Sequence, residues 1–198
     1  NYYDKEGESL ADVSVDKLTF TCRVSGMEND GEAVILLHGF PETSRMYYDL
    51  IPLLVSEGFK VVAPDQRGYS PGARPPKISD YSIDKLSQDI LDIADAFQFE
   101  KIHLIGHDWG SAVGWVTVAF HSERVISWTA LSVPHLDAFF EAMNNNPEQQ
   151  RKSQYINFFK KAIFPELYFK IFGYKYLKDI WRKSSQIEIK KYLEVFKQ

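Results

Sequence analysis

Two short stretches of this sequence hold residue types that do chemistry. The first is Gly106-His107-Asp108-Trp109-Gly110. A small residue on each side of a polar centre permits a turn so tight that larger side chains would clash, and the central residue is then held in a strained conformation. Here that residue is Asp108, a carboxylate. A carboxylate that attacks an alkyl carbon makes an ester, and water can attack the ester carbonyl in a second step. A serine attacking the same carbon would make an ether, which a hydrolase does not readily open. Asp108 is therefore suited to an electrophilic sp³ carbon, such as that of an epoxide or a haloalkane. The plainer reading makes Asp108 the N-cap of a helix. The second stretch is His38-Gly39-Phe40-Pro41, directly after an apolar run. An oxyanion hole can take one backbone N–H from such a loop and another from the residue after the nucleophile. Phe40 and Trp109 are then the donors, through their amides. An ordinary Gly-Pro turn is the alternative.

These residues need elements to hold them. Leu18 to Val24 alternates apolar and polar positions, as a half-exposed strand does. Ala33-Val34-Ile35-Leu36-Leu37 is an unbroken apolar run, suited to a strand buried on both faces. Helical spacing over 43–57 stops at Gly58, and a strand over 59–63 stops at Pro64. Residues 82–98 form an amphipathic helix, 102–105 a buried strand, 110–121 a helix and 125–132 a strand. Alternating strands and helices imply a mostly parallel sheet with helices on both faces. After Pro134 the pattern becomes helical and aromatic, with breaks expected near Asn144-Asn145-Asn146-Pro147, Pro165 and Gly173. The expected division is a sheet domain over 1–134 and a helical cap over 135–198.

Composition narrows the classes. Apolar residues make up 44% and charged residues 25%, enough to form a globular core. The net charge of -4 gives no basic field for nucleic acid. No apolar run approaches the roughly 20 residues of a membrane span. The single cysteine, Cys22, excludes an internal disulfide or a cysteine metal site and reads as a strand residue. No metal and no organic cofactor are expected, since water is the only co-substrate. The aromatic residues of the last third suit both packing and an apolar pocket. The cytoplasm is the favoured compartment. Export stays open, because the chain begins at Asn1 and a leader can be neither seen nor excluded.

Together with Asp65-Gln66-Arg67-Gly68-Tyr69-Ser70 and Ser132-Val133-Pro134-His135, the two stretches resemble the epoxide hydrolase branch of the α/β-hydrolase superfamily over roughly residues 18–135. The likeness is weaker beyond. It implies an α/β-hydrolase fold with a helical cap, and a two-step reaction on a small apolar epoxide. Asp108 opens the epoxide to an ester, and a His-activated water then releases the diol. It also implies cap tyrosines that donate to the epoxide oxygen, the first falling at Tyr155. His38, Pro41, His135 and Phe159 are expected to line the substrate pocket. Asp65 and Arg67 read as loop scaffolding.

None of the five histidines is well placed as the base. His107 precedes the nucleophile and faces away, His38 serves the loop, His103 lies in a strand and His121 ends a helix. In the family the order is nucleophile, acid, histidine. The acid, the histidine, the second tyrosine and two sheet strands would then fall outside residues 1–198. On that expectation these residues alone form the ester but do not turn over. The free edge of the strand at 125–132 would also invite pairing, as a homodimer or with other chain. Two alternatives stand beside epoxide hydrolysis. A haloalkane dehalogenase uses the same aspartate, though Phe40 offers no halide-binding side chain. A non-catalytic ligand-binding relative is the other. A serine esterase is disfavoured, because the elbow has no serine and Ser111 lies inside the helix.

Overall fold

The computed structural model of the chain describes residues 2–5, 8–161, 163–181 and 190. The chain divides into two compact units, Asn1–Pro134 and His135–Gln198. The first is built on strands β1 (Tyr2–Lys5), β2 (Glu8–Val15), β3 (Leu18–Ser25), β4 (Ala33–Leu37), β5 (Lys60–Pro64), β6 (Ile102–His107) and β7 (Val125–Leu131). They form one sheet in the order β1-β2-β3-β5-β4-β6-β7.

Strand β4 lies inside the sheet between β5 and β6, and all five of its residues are apolar and buried. It pairs in parallel with β5 and β6, and β6 pairs in parallel with β7. Each parallel return passes over a face through a helix, α1 (Leu50–Ser56), α2 (Ile83–Ala96) or α3 (Trp109–Phe120). Side chains alternate along β4, so two cores form. Ile35 and Leu37 pack with Ile90, Ile93, Leu104 and Val113 under α2 and α3, while Val34 and Leu36 pack with Tyr47, Ile51 and Val61 under α1. Helices on both faces of the sheet are what the alternation of strands and helices led us to expect.

Three local expectations are corrected. Strands β1 and β2 were not read in the sequence. They add an antiparallel edge, with β2 turning into β3 at Asp16-Lys17, so the whole sheet is mixed. Residues 43–57 are not one helix but a 3₁₀ turn at Ser44–Tyr47 followed by α1. Pro52 explains the break: in the first turn of α1 its missing N–H costs nothing, whereas in a continuous helix it would clash with the preceding turn. Gly173 does not break a helix.

The second unit carries α4 (Leu136–Asn145), α5 (Pro147–Lys152), α6 (Gln154–Phe159) and α7 (Phe164–Ile180). Asn146 caps α5 by accepting from the amides of Glu148 and Gln149. Pro165 starts α7, where no N–H is needed, and α7 runs through Gly173 with the Phe169 ring beside it.

Candidate active site

Strands β4 and β6 are parallel neighbours in register, Leu37 opposite Gly106. The chain therefore leaves both at the same sheet edge, and two segments 68 residues apart meet there. The first is the loop His38–Pro41, and the second is the turn from β6 into α3 that carries Asp108. The turn is as tight as its glycines imply. A Cβ on Gly106 would lie 2.5 Å from the Gly110 carbonyl oxygen, and one on Gly110 would lie 2.7 Å from that of His38. Asp108 itself has φ 53 and ψ −117, a left-handed conformation that a residue with a Cβ rarely adopts.

Asp108 stands at the N-cap position of α3, yet its side chain caps nothing. Its Oδ1 instead accepts the Phe40 amide at 2.9 Å. The capping explanation for this aspartate is thus set aside by the direction of its carboxylate. The amide of Trp109, the first residue of α3, has no intrahelical acceptor and no other partner among the described residues. The helix N-terminus favours a negative charge there by about 0.3–1 kcal/mol. The side chain of Trp109 is exposed.

The loop that brings Phe40 to Asp108 is itself pinned. His38 is fully buried. Its Nε2 accepts the Gln66 N–H at 3.0 Å, its Nδ1 lies 3.1 Å from the Gly39 carbonyl oxygen, and the Gln66 side-chain amide donates to its carbonyl. The Tyr69 ring meets it edge-on at 4.5 Å. Burial holds the imidazole below its ordinary pKa. Both nitrogens face backbone, so His38 braces the loop and has none left for a ligand, contrary to the pocket-lining expectation. Burial, and then the negative charges of Asp108 and Glu42, push the Tyr69 phenol up. Pro41 is buried.

Asp65 and Arg67 are scaffolding, as their loop position suggested. The Asp65 carboxylate accepts from the Ser44 amide and hydroxyl at 2.8 and 2.6 Å. Arg67 grips Asp89 of α2 with two bonds of 2.8 and 2.6 Å and donates to the Asp80 carbonyl. Among the described residues, none of the remaining histidines of this unit is hydrogen-bonded to the carboxylate of Asp108. His103 bridges Glu32 and Ser127, and His121 ends α3. His107 has its Nδ1 buried without a partner among the described residues. Cys22 is buried, and burial pushes its thiol up.

Tyr155, Phe159 and His135 belong to the second unit. Tyr155 is exposed with its ring against Phe159. Phe159 continues into an aromatic cluster with Phe158 and Phe169. His135 caps α4, its Nδ1 accepting the Asp137 amide at 3.3 Å. The structure thus brings Gly39, Phe40, Asp108 and Trp109 together in the first unit. Sequence reasoning missed Gln66, Tyr69 and the hydroxyl of Ser111 as supports of that site. The Asp65–Ser70 motif held a signal for the first two. No group of three or more metal-ligating side chains, and no helix long and apolar enough to cross a membrane, occurs among the described residues.

A family model of the alpha/beta hydrolase fold matches residues 32–186. AB hydrolase superfamily protein YfhM of Bacillus subtilis is 37% identical over 161 residues, 81% of this chain and 56% of that protein. Human epoxide hydrolase 4 is 34% identical over 186 residues, 88% of this chain and 51% of that protein. The chain spans about half the length of these curated relatives. Among solved structures, Bacillus megaterium epoxide hydrolase in complex with an inhibitor superposes with a TM-score of 0.82 at 25% identity. The match covers 94% of this chain and 66% of that one.

Proposed function

Because the chain belongs to the α/β-hydrolase fold family, we propose that Asp108 is the nucleophile of a hydrolase that opens an epoxide to a vicinal diol through an aspartyl ester. The observation that carries this reading is the 2.9 Å bond from the Phe40 amide to Asp108 Oδ1. A carboxylate with one oxygen held by a donor presents the other, Oδ2, for attack. Oδ2 bonds to the epoxide carbon, the carbon–oxygen bond breaks, and the resulting alkoxide takes a proton. On the resemblance, Tyr155 donates a hydrogen bond to that oxygen as its charge develops. In the second step water adds to the ester carbonyl, and the negative charge collects on Oδ1. The Phe40 amide is already bonded to that atom, and the Trp109 amide is the second donor in the proposal. A fixed donor that need not reorganise when charge develops is worth about 2.7–4 kcal/mol in an oxyanion hole.

The relatives named as epoxide hydrolases support the substrate class. Phe40, which offers no halide-binding side chain, weighs against a haloalkane. No histidine of the first unit bonds to Asp108. The ester is therefore expected to accumulate in residues 1–198, without multiple turnover.

The test is intact-mass measurement after incubation with styrene oxide. One equivalent of covalent adduct is expected on the chain and none on Asp108→Ala. Adduct at equal level in both, or in neither, defeats the assignment. Steady diol production by residues 1–198 would defeat the expected stall. Tyr155→Phe is expected to slow adduct formation without abolishing it. Bromide release from a bromoalkane in place of epoxide opening would move the reading to a dehalogenase.

A further inference from the structure

Ser111 lies one turn into α3 and is fully buried. A helical serine commonly bonds back within its own helix, but this one reaches out of it. Its Oγ is 2.6 Å from the Gly106 carbonyl oxygen on β6 and 2.8 Å from that of Leu131, the last residue of β7. It also accepts the Leu131 N–H at 3.1 Å. The Leu131 carbonyl in turn accepts the Asp108 amide at 3.2 Å. One hydroxyl has one proton, so Ser111 donates to one of the two carbonyls while it holds the Leu131 N–H. The nucleophile's own amide and the Ser111 hydroxyl thus converge on both polar groups of a single residue.

The backbone is left-handed on either side of this knot, at Asp108 with φ 53 and at Ser132 with φ 77. Neither is glycine, so each is strained and persists only where its surroundings over-determine it. The Asp108 amide is held on the Leu131 carbonyl at the residue where the backbone is strained. Leu131 is held by Ser111 from within the helix that Asp108 begins.

We propose that Ser111 is a positioning residue, whose hydroxyl ties the end of β7 to the elbow and so keeps Asp108 in its strained, attack-ready conformation. The proposal rests on the reading of Asp108 as nucleophile. It assigns a chemical use to a serine that is too buried to be a nucleophile itself. Removing the hydroxyl should cost rate at saturating epoxide and leave the half-saturating concentration alone, because the loss falls on the alignment of the attacking atom.

The experiment compares the wild-type chain with Ser111→Ala. Adduct formation with styrene oxide is followed by intact mass across epoxide concentrations, and amide hydrogen exchange is read by peptide. Ser111→Ala should slow the saturating rate at least tenfold with an unchanged half-saturating concentration. Exchange should rise in peptides covering 106–112 and 129–132, with β4 and β5 as protected as in wild type. A saturating rate within twofold of wild type overturns the proposal. So does exchange that rises equally in β4 and β5, which marks a general loss of stability. If the wild type forms no adduct, the nucleophile reading fails, and the exchange pattern alone decides whether Ser111 holds the elbow. If Ser111→Ala does not fold, Ser111→Cys is judged by the same criteria, since it keeps the volume with a weaker donor.

Discussion

At the scale of single residues the site depends on a few close approaches. Gly39 is the sharpest of these, because a Cβ there would lie 2.5 Å from Asp108 Oδ1. Gly39→Ala must push the carboxylate off the Phe40 amide, and a displacement of that size is worth about a hundredfold in rate. The expected result is a comparable loss in the rate of adduct formation, with far-UV circular dichroism unchanged. His38 adds a dependence on pH. Its folded-state pKa lies below the ordinary value of about 6.5. In acid the unfolded chain takes up a proton that the folded chain refuses, so this contribution is complete above pH 6.5 and is lost as the pH falls below it. The urea midpoint should drop between pH 7 and pH 5. His38→Phe should flatten that drop while costing about 1–3 kcal/mol through the unpaired Gln66 N–H. An equal drop in both proteins would contradict the role given to His38.

At the scale of elements, the parallel pairing of β4 with β6 does most of the positioning. It delivers the Phe40 loop and the Asp108 turn to one edge, and the loop after β5 braces the former through Gln66 and Tyr69. That third loop is anchored in turn by Arg67 on Asp89 of α2, a pair that is almost entirely buried. Arg67→Ala leaves Asp89 buried without its partner, and breaking such a pair costs about 3–5 kcal/mol. Denaturant unfolding should read that loss. A change below about 1 kcal/mol would mean that the loop after β5 is held by something other than this pair.

At the scale of the molecule, the chain forms two compact units that meet in sequence at Pro134 and His135. We propose that they are separate domains, a sheet core over 1–134 and a helical cap over 135–198. Exposed connecting chain is where a protease first finds backbone it can bind. Limited proteolysis should therefore cut first beyond Ser132 and leave a resistant piece ending near residue 134. First cuts between residues 60 and 131 would count against the division. The shape of each unit was unequally legible. The apolar runs of β4 and β6 and the 3.6-residue spacing of α2 were plain, because burial on two faces or one leaves a distinct pattern. Strands β1 and β2 were missed because β1 is only four residues of mixed polarity and β2 sets Asp12 and Ser14 among its apolar positions, so neither forms an apolar run. The single helix expected over 43–57 failed because apolar spacing cannot register the ring of Pro52.

By itself, the sequence pointed to the chemistry proposed for the centre. Asp108 between two glycines, and Phe40 after an apolar strand, follow from residue type and spacing, since a tight turn and a carboxylate are local properties. The strand-helix alternation that holds them was equally local. Only the tertiary structure decided what each group faces. It turned Asp108 away from the cap of α3 and onto the Phe40 amide, turned His38 into a brace, and gave Ser111 to β7. Those outcomes depend on β4, β6 and β7 lying side by side, contacts between segments that are distant in the chain, and no periodicity within one segment records them.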